Sequence, residues 1–151
     1  MSSTRSKRIV RTFVAIIATA GLLTCGPACD GLSGPTVPEA PRPVSFSQDV
    51  QPIITTACGG CHSPGGLADL FGIEMFLREG EAYDAIVNKT SVVRSDLTLV
   101  VPGDSAASLF YLKVASDAPP IGDRMPRSAP VLTDEELATI RDWIDEGAED
   151  N

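Results

Sequence analysis

The chain has 151 residues, 43% of them hydrophobic and 21% charged, the balance of one globular domain rather than of a disordered polymer. Its 12 basic and 20 acidic residues leave a formal net charge of -8, so no nucleic-acid footprint is expected. One histidine and four cysteines exclude a Cys2His2 zinc finger and a three-histidine zinc site, and aromatics at 5% are sparse for filling a core.

The first segment reads as an address. Residues 1–11 carry Arg5, Lys7, Arg8 and Arg11 and no acid, and an apolar run over 13–23 follows. That run suits a secretory signal, whose apolar region is about 7–15 residues, and falls short of the about 20 that span a bilayer. No Arg-Arg pair is present, so a twin-arginine signal is not expected. Residues 1–24 are assigned to a signal peptide, which implies a periplasmic or other extracytoplasmic location. From Cys25 onward 8 basic residues face 20 acidic ones, a net charge of -12. Leu22-Leu23-Thr24-Cys25 resembles a bacterial lipobox, in which the cysteine becomes the lipidated N-terminus. Thr24 departs from the usual Gly, Ala or Ser. Cys25 is the candidate lipidation site, with membrane attachment implied; ordinary cleavage to a soluble periplasmic protein is the alternative. A Cys25–Cys29 disulfide would close a very short loop and contribute little.

Residues 25–44 form a tether. Pro35, Pro38, Pro41 and Pro43 favour extended polyproline II, at about 3.1 Å per residue, which would hold a domain off a surface. The folded domain is expected over 45–151.

Val50, Ile53, Ile54 and Ala57 mark one helical stripe. Pro52 is tolerated only near a first turn, so this helix is expected to start between Asp49 and Pro52. It leads into Cys58-Gly59-Gly60-Cys61-His62, the C-x-x-C-H spacing of covalent c-type haem attachment. Two thiols two residues apart can reach the two vinyl groups on one porphyrin edge. A histidine directly after the second is carried under the macrocycle, where its imidazole can bind the iron. Gly59 and Gly60 keep the turn small. Two other uses of the cysteines compete. A thioredoxin-type dithiol needs a βαβ setting that is absent around Pro64-Gly65-Gly66. A zinc site would need a further carboxylate at an awkward spacing.

Further along, 79–88 has helical spacing in Ala82, Tyr83, Ile86 and Val87. Residues 92–101 are β-branched but interrupted by Arg94, Ser95 and Asp96, and are expected to be loop. Pro102-Gly103-Asp104 is a turn, with Asp104 or Ser105 capping a helix to about Val114 and Leu109, Leu112 and Phe110 facing inward. Gly122-Asp123-Arg124-Met125-Pro126-Arg127 is a Pro-flanked loop. The last helix is the clearest. Thr133 and Glu136 form a capping box, Leu137, Ile140 and Ile144 recur on one face with Trp143 beside them, and Gly147 is a stop. Crossing of this helix with the one before the motif, through Trp143, is expected to enclose the haem edge.

His62 is the only histidine, so two histidines cannot ligate one iron within the chain. Methionine, lysine or no sixth ligand remains. Met125, 63 residues after His62, can fold over the opposite face; Met75, only 13 after it, is expected to fill a core gap. Arg124 and Arg127, flanking Met125, are either a small positive patch that pairs with propionates or ordinary surface arginines.

These stretches resemble the class I (mono-haem) cytochrome c group of small bacterial domains over roughly 46–148. The resemblance rests on SFSQDVQPIITTACGGCH at 45–62, VVPGDSAASLFYLKV at 100–114, GDRMP at 122–126 and LTDEELATIRDWIDEGAED at 132–150. Residues 67–99 do not align by motif. It implies an all-α, cytochrome c-like fold of about four helices around one covalent haem c. It implies that Cys58 and Cys61 bind the haem, with His62 the proximal and Met125 the distal iron ligand. The expected function is one-electron transfer between redox partner proteins, not catalysis. The acidic chain would meet basic or apolar partner patches in a salt-sensitive way. The alternative is a haem-based gas-binding or sensing module with an open or displaceable sixth position. Weak peroxidase activity is a lesser one.

Overall fold

The computed structural model describes residues 42–151, and among these the regular elements are helical, with no strand. The signal segment, Cys25 and nearly all of the tether lie outside the described residues. A π-helical turn, Phe46–Val50, runs into α1 (Gln51–Ala57). Then follow α2 (Leu67–Leu70), α3 (Ala82–Ile86), α4 (Leu109–Ala115) and α5 (Asp134–Asp145). The all-α expectation holds at this level. Five α-helices form where about four are expected, and the additional one, α2, lies in the stretch that no motif covers. No described helix is long and apolar enough to cross a membrane.

α5 is built as its sequence dictates. Thr133 Oγ1 accepts from the Glu136 N–H (3.2 Å), and Glu136 Oε2 accepts from the Thr133 N–H (2.8 Å). Asp134, Glu135 and Glu136 complement the positive end of the helix. At the other end Ala148 N–H donates to the Trp143 carbonyl (2.8 Å) and Gly147 N–H to that of Ile144 (3.0 Å). This is a Schellman closure, and Gly147, at φ 117°, supplies the backbone freedom it needs. Its inward face buries Ile140, Trp143 and Ile144.

The N-terminal turn packs on α5, and α1 continues from it. Phe46 packs at a tilt on Trp143 with ring centroids 5.0 Å apart, and Tyr83 meets Phe46 edge-on at 5.3 Å. Such aromatic pairs add about 0.5–1.5 kcal/mol each beyond their area. Val50, Ile54 and Ile86 complete this core and are fully buried. The chain end is sewn in beside them. Asn151 Oδ1 accepts from the Phe46 N–H (2.7 Å), and the Asn151 backbone carbonyl accepts from the Ser45 and Ser47 hydroxyls (2.8 and 2.7 Å).

Two boundaries differ from expectation. α3 is shorter than 79–88 because Val87 turns extended, forms an isolated bridge to Val100, and Asn88 N–H donates to the Val100 carbonyl (2.9 Å). α4 begins at Leu109, with Ser108 and not Asp104 or Ser105 at its N-cap position. The two expected caps are occupied elsewhere. Asp104 Oδ1 accepts from Ala107 N–H (2.9 Å), closing a separate turn, and Ser105 donates through its N–H (2.9 Å) and hydroxyl (3.1 Å) to the Asp145 carboxylate of α5. Ser108, wholly buried, accepts from Val101 N–H (2.8 Å) and donates to the Asp104 carbonyl (2.7 Å). Residues 92–101 stay irregular apart from isolated bridges, as expected.

Candidate cofactor site

α1 delivers the cysteine motif as one further turn. Cys58 N–H donates to the Ile54 carbonyl (2.9 Å), and His62 N–H donates to the Cys58 carbonyl (2.9 Å). The polypeptide 61–77 then folds round this turn. Ala68 N–H donates to the Cys61 carbonyl (3.1 Å), and Leu77 N–H to the His62 carbonyl (2.8 Å). Gly59 is sterically required, because a Cβ there would stand 2.8 Å from the Thr55 carbonyl oxygen. Gly60 is not, since a Cβ would meet open space. Gly66, which motif reading passes over, is the tighter position. A Cβ would approach the Ser63 carbonyl oxygen to 2.9 Å and the Cys61 carbonyl oxygen closer still.

A cavity of about 620 Å³ opens beside this turn, a size suited to a cofactor. Cys58, Cys61 and His62 line it, and so does Met125, brought in from 63 residues away. The remaining wall is mainly apolar, from Leu67, Ile73, Leu77, Leu99, Leu109 and Phe110. Met75, expected as gap-filler, is half-buried against the core and also lines the cavity. Trp143 does not. The packing on α5 is made by the π-helical turn ahead of α1, through Phe46 against Trp143; the site is walled by α4 and the segments around 91–99 and 121–129. The expectation that Trp143 encloses the haem edge is therefore corrected: its ring is used up against Phe46, and its Nε1 donates to the Glu149 carbonyl (3.0 Å).

The donor set is specific. Cys58 and Cys61 are not joined to one another. Burial, and then the neighbouring Cys61, push the Cys58 thiol up to about 11. Cys58 also caps the C-terminal end of α1, where the helix dipole opposes a thiolate. Both effects run against the low-pKa thiol of an exchange dithiol. His62 Nδ1 is sealed from solvent without a partner at hydrogen-bonding geometry. Burial holds the imidazole below the ordinary histidine range, and a nearby Met75 main-chain group opposes this. A buried imidazole kept neutral is the form that ligates a metal.

Met125 is held by α4. Its N–H donates to the Lys113 carbonyl (2.7 Å), and Arg124 Nε donates to the Val114 carbonyl (2.8 Å). Arg124 also pairs with Asp117 (2.7 Å), and Arg127, which lines the cavity, pairs with Asp123. Neither arginine is an unpaired surface cation.

A haem fits these residues. Four large apolar side chains that line the cavity, Leu67, Phe71, Val92 and Val93, are 51–77% exposed. An apolar plate seated in the cavity would cover them. Among the described residues no group of three or more His, Cys, Asp and Glu side chains gathers to hold a bare metal ion. A porphyrin brings four equatorial nitrogens of its own, so the chain need supply only axial ligands. Compared with known proteins, the chain matches no family model, and no curated protein or solved structure matches it significantly.

Proposed function

We propose that the domain is a mono-haem c-type cytochrome of cytochrome c-like fold that carries single electrons between partner proteins outside the cytoplasm. One observation carries this reading: a single cofactor-sized cavity is lined by both thiols, the only histidine and Met125. When bound, a haem supplies an iron that passes between ferrous and ferric. Cys58 and Cys61 would hold the porphyrin through thioether bonds. His62 would ligate the iron from a turn fixed by its own N–H and carbonyl. Met125 would offer a thioether as the second protein ligand, which favours the ferrous state relative to a second imidazole. Leu99, Leu109 and Phe110 would give the group an apolar wall. The walls carry no second histidine to act as a base, so the reading is a carrier rather than an enzyme. Cys25 would tether the domain to a membrane through lipid, and the acidic chain would dock on basic or apolar faces of its donor and acceptor.

Mass spectrometry of protein exported to the periplasm tests this directly. One haem adduct is expected, and an acylated N-terminus at Cys25; a chain mass without haem overturns the reading. The ferric spectrum is expected to be low-spin with the weak far-red sulfur-to-iron band, lost in Met125→Ala. High-spin iron with rapid CO binding by the reduced form would favour the gas-binding module instead.

A further inference from the structure

The methionine loop beside the cavity is tied to α4. α4 reads LFYLKVA, apolar but for Tyr111 and the single charge of Lys113. Lys113 grips the methionine loop twice. Its carbonyl is one of the last in the helix, lacking an intrahelical partner, and accepts from Met125 N–H (2.7 Å). Its ammonium reaches past the helix end and donates to the Ile121 carbonyl (2.8 Å) and to the Asp123 carbonyl. Those two carbonyls flank Gly122, at φ 57°, where a side chain would come within 3.6 Å of Nζ. Nζ therefore sits inside the bend at 121–123, two residues ahead of Met125, and Lys113 also lines the cavity. Arg124 pins the same loop from its outer side, through Asp117, which is 93% exposed, and it does not line the cavity.

On the haem reading of this site, we propose that Lys113 is a positioning residue, whose ammonium holds the 121–123 bend so that the Met125 thioether is presented to the iron. The bend alone has little reason to hold this form. Its carbonyls converge on one point, which without a cation there is repulsive. With Lys113 in place the loop is ordered before ligation, and the thioether need not bear that cost when it binds.

The holoprotein tests this with wild type, Lys113→Leu, Lys113→Arg and Met125→Ala side by side. Lys113→Leu is expected to keep one covalent haem by mass. Its far-red band should fall by about half or more, and its reduced form should bind CO about tenfold faster than wild type. Lys113→Arg, which keeps charged donors, is expected to restore the band. Should the leucine variant not fold, Lys113→Gln, too short to reach both carbonyls, replaces it with the same expectation. An unchanged band and CO rate in the variant overturn the role of Lys113 and leave the haem reading standing. A haem-bearing wild type without the band overturns Met125 ligation, and the role of Lys113 with it.

Discussion

Where the ends of the folded segment meet, polar groups are paired and rings pack edge-on or tilted: Asn151 closes on Ser45, Phe46 and Ser47, and Phe46, Tyr83 and Trp143 pack together. Around the cavity the pattern reverses. The walls are loops and short helices, Leu67, Phe71, Val92 and Val93 stand open, and His62 Nδ1 is buried without a partner. The terminal clamp buries its apolar surface against itself. The cavity walls leave theirs open: Leu67, Phe71, Val92 and Val93 face a space that no protein segment fills. One part of this fold is closed by protein alone; on the proposed function, the other would be closed by the haem.

The largest test of that contrast removes the anchor. Cys58→Ser combined with Cys61→Ser is expected to abolish covalent haem, read by mass. Amide hydrogen exchange should then rise around 63–77, 91–99 and 121–129, while 46–54 and 134–148 stay protected. Uniform loss of protection would break the comparison. Next in size, Trp143→Ala should destabilise the fold by about 3–5 kcal/mol in denaturant unfolding. The spectrum of the molecules still folded should not change, since Trp143 does not line the cavity. Ser108→Ala leaves the half-buried Val101 N–H without its acceptor and should cost about 1–3 kcal/mol. The smallest effect concerns acid. Arg42 beside Asp49, helped by the Ser45 N–H, holds the Asp49 carboxyl below its ordinary range. A depressed carboxyl pKa gives stability that is present above the unfolded value and lost as pH falls through the folded one. Asp49→Asn should remove less than about 1 kcal/mol at neutral pH and flatten the acid limb of the unfolding curve by that amount, with no change in the haem spectrum.

Local elements were legible where the residues specify their own partners. The Thr133–Glu136 box and the Gly147 stop bound α5 because both act within one turn of chain. The C-x-x-C-H turn is local for the same reason. Asp104 and Ser105 mislead because a good cap can be spent elsewhere: Asp104 closes its own turn on Ala107, and Ser105 is claimed by the Asp145 carboxylate, 40 residues on. Trp143 misleads similarly: its size marks it as core, but not that Phe46 and Tyr83, rather than the cavity, take up its ring. Lys113 had one visible signal, a lone charge in an apolar helical run, but its partners at Ile121 and Asp123 emerge only once the loop returns. Gly66 looks like any loop glycine until the Cys61 carbonyl is seen against it.

The sequence by itself determined the helical class, the haem-type spacing of Cys58, Cys61 and His62, and the candidacy of Met125, because each follows from periodicity, short spacing or residue scarcity. Only the tertiary structure decided that Met125 and Met75 share a cavity with that motif, that Trp143 does not line it, and that Lys113 binds the bend leading to Met125. Those are relations between different segments, from 8 residues apart for Lys113 and Ile121 to 63 for His62 and Met125, set by which apolar faces and carbonyls find one another in the packed chain.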